Sequence, residues 1–156
     1  MPASSAGLLL YRRRQSGPHV LLVHPGGPFW ARRDLGIWSI PKGELTSEEA
    51  PLHGALREVR EELGVSFAGP FLPLTPVRQR GGKTVEAWAT ESEWDPAKLK
   101  SNTFEIEWPP RSGARQSFPE IDRAEWFPLD EARRRILSGQ IPLLDELERI
   151  LSTHSA

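Results

Sequence analysis

One segment of the sequence predicts an amphipathic helix that other parts of the chain have to cover. Five apolar residues recur there at helical spacing and form one stripe: Leu52, Ala55, Leu56, Val59 and Leu63. Pro51 suits the first turn of a helix, and Gly64 suits the position after its last turn. Because such a stripe is stable when it is buried, and because the predicted strands outnumber the helices, we expect this helix to lie against a mixed sheet.

The remaining segments predict a single α+β domain over residues 1–156. Apolar and aromatic runs between glycine and proline positions indicate strands at 5–14, 19–25, 37–41, 71–80, 83–92, 102–110 and 124–129. Two further helices are predicted at 130–137 and 142–151. Gly81 and Gly82 separate the fourth predicted strand from the fifth and therefore predict a β-hairpin.

The composition excludes several kinds of site. The 156 residues include no cysteine, which rules out disulfides, thiolate catalysis and a cysteine-based zinc site. The formal net charge of -1 provides no overall attraction for nucleic acid or an anionic membrane. Arg12, Arg13 and Arg14 follow the apolar N-terminal run, which is the wrong order for a secretory signal, and no apolar run approaches the roughly 20 residues of a membrane span. We therefore expect a cytoplasmic protein.

The predicted helix also carries a close group of glutamates, Glu58, Glu61 and Glu62. At i, i+3 and i, i+4 spacing their carboxylates project from one side, and each like-charged pair costs roughly 0.2–0.5 kcal/mol. One explanation is a solvated face that Arg57 and Arg60 compensate. The other is a bound cation, because carboxylates that converge on a small volume need their charge neutralised.

The loop before the helix favours the second explanation, a bound cation. Residues 41–44, Pro-Lys-Gly-Glu, offer a backbone carbonyl, a lysine and a carboxylate, and Glu49 lies at the helix start. Oxygen ligands select a hard cation such as Mg²⁺ or Mn²⁺. Such ions bridge phosphate oxygens and acidify water, so the pattern indicates hydrolysis of a phosphoryl-type bond.

The segment from Gly43 to Val65 contains a longer spaced pattern, G-x5-E-x7-R-E-V-x-E-E-L-G-V, in which x is any residue. In this segment the chain resembles the Nudix hydrolases. Every fixed position of their signature is filled, by Gly43, Glu49, Arg57, Glu58, Val59, Glu61, Glu62, Gly64 and Val65. The rest of the chain resembles the family more loosely, with strands before this segment and a hairpin after it.

The resemblance implies a fold, a reaction and a set of metal ligands. The fold is an α/β/α sandwich around a mixed sheet flanked by helices, and the reaction cleaves a diphosphate linkage in a nucleoside diphosphate joined to another group. Glu61 and Glu62 would be the main ligands of Mg²⁺, or of Mn²⁺, with the Gly43 carbonyl close to the same ion. Glu58 would be a further ligand or would orient the attacking water.

The resemblance also implies that Arg57 and Glu49 are paired and hold the loop on the helix. This pairing has an independent physical reason, since a guanidinium fork binds a carboxylate through two hydrogen bonds and fixes its geometry. We count both residues with Glu58 and Glu120 as candidate catalytic residues.

The identity of the general base stays open. Glu120, in "FPEIDRAEW", is similar in position to a glutamate that reaches the metals or the water in mutator-type members of the family. Its alternative is a simple loop glutamate. Glu105 and Glu107 alternate along one strand and share a face, so either competes with Glu58 and Glu120 for the role.

Four basic residues are candidates for binding substrate phosphates: Lys42, Arg78, Arg80 and Lys83. Each has an exposed loop or hairpin position as its alternative. Three tryptophans either stack on a nucleobase or belong to the core: Trp30, Trp88 and Trp108.

These observations predict a Mg²⁺-dependent pyrophosphohydrolase that acts on nucleoside triphosphates or dinucleoside polyphosphates. The alternatives are removal of pyrophosphate from RNA 5′ ends and a non-catalytic nucleotide-sensing module. We expect a small nucleotide as the partner, with neither a membrane nor a nucleic acid. The oligomeric state, the base preference and the phosphorus that is attacked stay open.

Overall fold

The structure is a computed structural model that describes residues 4–154, apart from the side chains of Arg80 and His154. The strands are β1 Ser4–Arg14, β2 Gly17–Pro25, β3 Lys42–Glu44, β4 Leu72–Pro73, β5 Val77–Arg78, β6 Thr84–Glu91, β7 Thr103–Glu107, β8 Arg115–Pro119 and β9 Ile121–Pro128. The α-helices are α1 Pro51–Leu63, α2 Leu129–Arg135 and α3 Ile141–His154. None of these helices is long and apolar enough to cross a membrane.

Strand β1 lies at the centre of a mixed seven-stranded sheet. It pairs in parallel with β6 along one edge, and along the other edge it pairs antiparallel first with β3 and then with β2. The order β4-β6-β1-β2-β9 is completed by β5, which pairs with β6. The prediction of a mixed sheet is therefore confirmed.

Each face of this sheet has its own apolar core, because successive side chains of a strand point to opposite faces. Leu8 and Leu10 of β1 pack with α1, while Leu9 packs with α2 and α3. The α1 side is filled from the helix by the apolar stripe predicted from the sequence, of which Ala55, Val59 and Leu63 are buried. Helices thus cover both faces, which confirms the predicted α/β/α sandwich. The single domain over residues 1–156 stays a prediction.

The strand predicted at 37–41 is wrong in position. Trp38 and Ser39 form only isolated bridges, with Ile136 and Val23, and the strand that joins the sheet begins after Pro41. Proline has no N–H to donate, so a continuous ladder cannot run through this position. The displacement has a consequence for function, because β3 contains the first residues of the acidic segment and attaches them to β1.

The predicted hairpin at 71–92 is confirmed, although its first strand is broken. Val77 pairs with Val85 across a turn at Arg80–Gly82, and Pro73 and Pro76 divide the rest into the short strands β4 and β5. The predicted strand at 102–110 shortens to β7, which pairs with β8 in a separate two-stranded sheet. Strand β8 was not predicted from the sequence, because three of its five residues are polar and four are exposed.

Candidate active site

Arg57 fastens the loop before α1 onto the helix. Its Nη2 donates to Glu49 Oε1 at 2.7 Å and its Nε donates to Glu49 Oε2 at 3.1 Å, so the guanidinium binds the carboxylate through two hydrogen bonds. Nη2 also donates to the backbone carbonyl of Glu44 at 3.2 Å. These hydrogen bonds from Arg57, together with one from the Thr46 amide, lower the pKa of Glu49 to about 2.

Two glycines allow the loop and helix to approach each other closely. A Cβ atom on Gly54 would overlap Leu45 of the loop and press on the carboxyl group of Glu49. A Cβ atom on Gly43 would overlap the carboxyl group of Glu58. The backbone of the loop therefore lies directly against the acidic side of α1, and any larger residue at Gly43 would displace Glu58.

The acidic side chains of α1 meet Arg57 at the same place. Arg57 Nη1 lies 2.9 Å from Glu58 Oε1 and 3.3 Å from Glu61 Oε1. Burial raises the pKa of Glu58, against the opposing charge of Arg57. Several carboxylates of the helix thus share a single positive group, the guanidinium of Arg57.

Glu62 is the carboxylate of this group whose ionised form is most strongly disfavoured by its surroundings. Burial raises its pKa to about 8, and the charges of Glu120 and Glu58 add to the effect. The backbone N–H of Lys42 donates to Glu62 Oε1 at 3.1 Å and acts in the opposite direction, as does the charge of Lys42. A positive charge placed beside Glu62 would therefore stabilise its ionised form.

A cavity of about 470 Å³ opens beside Glu62. Its polar lining includes Lys42, Glu62 and Glu120. Its apolar lining includes Val23, Ile37, Ile40, Ile121 and Leu137. Trp30 and Arg33, from the loop between β2 and β3, line the same cavity. The volume and the division between charged and apolar walls suit a ligand with a phosphate part and a flat apolar part.

The family model of the NUDIX domain matches residues 1–147, which is most of the chain. The chain belongs to the Nudix family. Its 23-residue segment with the fixed glutamates, Gly43 to Val65, is hereafter called the Nudix box.

Solved structures with the same fold include a C. elegans Ap4A hydrolase in a binary complex, with a TM-score of 0.66 and 19% identity, where the match covers 97% of this chain and 98% of the other. The NUDIX domain of Shewanella oneidensis NrtR, complexed with ADP ribose, matches with a TM-score of 0.64 and 17% identity over 97% and 89% of the two chains. At these identities the likeness concerns the fold alone.

A curated relative is the RNA pyrophosphohydrolase of Gluconacetobacter diazotrophicus. It is 35% identical over 65 residues, which are 42% of this chain and 34% of that protein. The match thus spans about a third of the relative.

Nudix enzymes use a divalent metal ion, and the oxygen donors of this Nudix box fit one. Glu58, Glu61 and Glu62 offer carboxylates, and Gly43, whose backbone lies against Glu58, offers a carbonyl. The raised pKa of Glu62 marks a carboxylate that a cation would stabilise. Within residues 4–154, no three carboxylate or imidazole groups are grouped closely enough to hold an ion as they stand. A metal ion would have to compete with Arg57 for Glu58 and Glu61.

The basic residues predicted from the sequence are distributed unequally around this site. Lys42 lines the cavity, and burial lowers its pKa, which Glu62 counteracts. Lys83 lies beside the box, where its Nζ is 3.1 Å from Glu44 Oε1. Arg78 does not line the cavity; it borders another one, with Gly139 and Arg149 among its walls. The side chain of Arg80 lies outside the part of the chain that the structure describes.

The candidate bases also differ in position. Glu120 precedes β9 and lines the cavity together with Glu62. Glu105 and Glu107 lie on the exposed face of β7, whereas the residues between and before them are half-buried, and Glu107 accepts a hydrogen bond from the backbone N–H of Arg111. The structure thus brings Glu120 to the cavity, and neither of the two β7 glutamates lines it.

Arg33 is a charged cavity residue that was not predicted from the sequence. Its guanidinium lies 5.4 Å from the centre of the Trp30 ring, and the two side chains line the cavity together. The available signal was the run "FWARRDLG", which combines a tryptophan with two arginines in one loop. Of the other tryptophans considered, Trp88 packs in the α1-side core, and Trp108 meets Phe29 edge to face at 5.3 Å.

Proposed function

We propose that this Nudix protein is a Mg²⁺-dependent pyrophosphohydrolase that cleaves a diphosphate linkage of a nucleoside triphosphate or dinucleoside polyphosphate. The observation that carries the proposal is the position of Glu62, an acidic residue of the Nudix box, in the wall of the cavity. Lys42 and Glu120 line the same cavity, so a phosphate chain would meet positive charge and two carboxylates there.

The residues that would hold Mg²⁺ are Glu61 and Glu62, with Glu58 and the carbonyl of Gly43. Oxygen donors of this kind favour a hard divalent cation, of which Mg²⁺ and Mn²⁺ are examples. When bound, Mg²⁺ supplies charge neutralisation for the phosphates and acidifies water.

The chain itself supplies a base, a counter-charge and a rigid frame. Glu120 or Glu58 accepts a proton as the oxygen of water bonds to phosphorus and the phosphorus–oxygen bond of the leaving phosphate breaks. Lys42 stabilises the negative charge that grows on the phosphate chain. The contact between Arg57 and Glu49 keeps the loop and Gly43 in place throughout.

The nucleoside part of the substrate would occupy the apolar part of the cavity. Trp30 is 37% exposed as a residue, and the Arg33 guanidinium lies over its ring, so a nucleobase could stack on either planar group. Ile37 and Ile121 would enclose the base from the cavity wall.

We expect Glu120 to be the general base. Glu120→Gln should lower kcat by about 10²- to 10⁴-fold, the usual contribution of a positioned base. Glu107→Gln should leave kcat within about twofold, because its side chain lies on the exposed face of β7. Steady-state kinetics at saturating Mg²⁺ measure both. If Glu120→Gln keeps its kcat, the role of the base passes to Glu58.

The proposed activity is tested by a panel of nucleoside triphosphates, dinucleoside polyphosphates and a 5′-triphosphorylated RNA, with and without Mg²⁺. We expect turnover of the small substrates that depends on the metal, and isotope-labelled water identifies the phosphorus attacked. Absence of turnover across the panel with both Mg²⁺ and Mn²⁺ would contradict the proposal.

Removal of pyrophosphate from RNA 5′ ends is the second candidate function. It is favoured by the partial match to a protein named RNA pyrophosphohydrolase. A long RNA footprint would make binding fall steeply with salt, whereas the net charge of -1 predicts a shallow dependence. A salt titration of RNA binding, run beside the panel, separates the two functions.

A non-catalytic sensor is the remaining alternative, since a NUDIX domain has been solved with ADP ribose bound. A sensor would bind nucleotides tightly and release no product with any metal. The cytoplasmic location inferred from the sequence stays a prediction.

A further inference from the structure

His24 lies fully buried near the cavity, on strand β2, although the proposed reaction gives it no role. Its Nε2 is 2.7 Å from the backbone carbonyl oxygen of Arg33, and its Nδ1 is 2.8 Å from Asp122 Oδ1. The ring also meets Trp38 edge to face at 5.1 Å. Every edge of the imidazole is thus occupied by a specific neighbour.

Asp122 reaches His24 because β9 contains an extra residue at this point. His24 pairs with Arg123, but the next residue, Pro25, pairs with Ile121, so Asp122 has no partner opposite it in β2. Such a β-bulge re-aims a side chain, and bulges are frequent beside active sites. Glu120, the candidate base, lies two residues before the bulge.

In the hydrogen bond between His24 Nε2 and the carbonyl of Arg33, the imidazole has to be the donor. A backbone carbonyl oxygen accepts hydrogen bonds and donates none, so the hydrogen must be on His24 Nε2. The carbonyl belongs to the residue whose guanidinium lines the cavity and lies over Trp30. A single hydrogen bond from the sheet thus reaches the part of the loop that faces the proposed nucleoside site.

Further contacts of this loop lie on either side of that point, at the neighbouring Asp34 and within the loop itself. Gly26 N–H donates to the carbonyl of Glu120 at 2.8 Å, and Gly36 N–H donates to the carbonyl of Arg134 at 3.1 Å. Next to Arg33, Asp34 accepts from Trp38 Nε1 at 2.9 Å and from Arg135 Nη1 at 2.6 Å. Within the loop, the Arg33 N–H donates to the carbonyl of Trp30 at 2.9 Å. The intervening residues 29–35 are exposed, so burial contributes little to their order.

We propose that His24 is a positioning residue that holds Arg33, and with it Trp30, in place for the substrate. The proposal rests on the proposed function, because it assigns the loop to the nucleoside part of the substrate. His24 touches no reacting atom. Its loss should weaken substrate binding while leaving the chemical step, which we assign to the Nudix box and Glu120, largely intact.

Two substitutions separate the two hydrogen bonds of the ring. The amide nitrogen of glutamine extends about as far as Nε2, so His24→Gln keeps a donor for the Arg33 carbonyl. Asparagine is shorter, so His24→Asn keeps a donor for Asp122 and leaves the carbonyl unpaired. A positioning role predicts that glutamine succeeds where asparagine fails, and that the change is confined to KM and to the loop at 29–35.

We expect His24→Asn to raise KM about tenfold with kcat changed less than about twofold, as befits one lost buried hydrogen bond. His24→Gln should stay within about threefold of the wild type in both constants. Hydrogen exchange followed by mass spectrometry should be faster in residues 29–35 of His24→Asn alone. Equal KM values for the two variants, unchanged exchange in residues 29–35, or a fall in kcat instead of a rise in KM would overturn the proposal.

A non-hydrolysable methylene-bridged ATP analogue distinguishes this proposal from the proposed function. If the wild type turns over no substrate, the proposed function fails, while the dissociation constants of the analogue for His24→Asn and His24→Gln still test the positioning role. The proposal is supported by weaker binding in His24→Asn alone, and it is overturned if both variants bind the analogue as the wild type does.

Discussion

Glu62→Gln should lower turnover by at least about 10²-fold and, at the same time, stabilise the metal-free protein. The loss of activity is expected from removing a charged oxygen donor from the wall of the proposed phosphate site. The gain in stability follows from the pKa of Glu62, which burial raises to about 8. A neutral amide of the same shape avoids the cost of burying the charge.

The dependence on pH has a definite sign. The ordinary pKa of a glutamate is about 4.5 and the folded value of Glu62 is about 8, so the folded state binds the proton more tightly than the unfolded state. The free energy of unfolding of the metal-free wild type should therefore fall as pH rises from about 4.5 to about 8. The variant should not show this loss, and its advantage above pH 8 should be about 1–4 kcal/mol.

Thermal unfolding at pH 5 and at pH 8.5, with and without Mg²⁺, measures both effects. Adding Mg²⁺ should raise the Tm of the wild type and should raise that of Glu62→Gln much less. Glu48→Gln is the matched control, because Glu48 is an exposed glutamate of the Nudix box in the loop before α1 and should change neither activity nor Tm. A variant that unfolds more easily than the wild type at pH 8.5 would show that the acidic cluster stabilises the fold.

Arg57→Lys should lower turnover by about 10²-fold although it keeps the charge. The guanidinium joins both oxygens of Glu49, the carbonyl of Glu44, and the carboxylates of Glu58 and Glu61. An ammonium group presents no planar fork and cannot make these contacts together. The loop should detach from α1, which would displace the carbonyl of Gly43, a proposed ligand of the metal ion.

The stability lost in Arg57→Lys should also depend on pH. Arg57 lowers the pKa of Glu49 to about 2, so the pair contributes its full stability above about pH 4.5 and loses it as pH falls toward 2. The difference in Tm between wild type and variant should be largest at neutral pH and should shrink below pH 4.5. Limited proteolysis of the loop at 44–49 reports its detachment directly.

Arg60→Lys is the control for this prediction, since Arg60 lies on the same helix with an exposed side chain. It should leave turnover within about twofold. Wild-type activity in Arg57→Lys would mean that the loop holds its position without the fork.

Local patterns in the sequence were sufficient to predict α1, the long strands and the acidic segment. The helical stripe from Leu52 to Leu63 predicted α1 with its bounds, because both propensity and burial act on neighbouring residues. The Nudix box, including the pairing of Arg57 with Glu49, is likewise contained in one segment of 23 residues. The long hydrophobic strands β1 and β2 were also predicted from their local sequence. Interactions between residues close in the chain thus leave a pattern that can be read without the fold.

Other features depended on contacts between distant segments. Strand β8 exists because it pairs with β7, and its own residues carry no strand pattern. Glu120, Glu105 and Glu107 are all glutamates in or beside strands, so the sequence does not distinguish them as candidate bases. The tertiary structure does, because Glu120 alone of the three lines the cavity. His24 contacts the backbone carbonyl of Arg33. Every residue has such a carbonyl, so this contact leaves no pattern in the sequence. The sequence alone determined the fold class and the family, and it predicted a divalent-metal site. The tertiary structure decided which side chains face the cavity, because that choice rests on strand pairing over long separations in the chain.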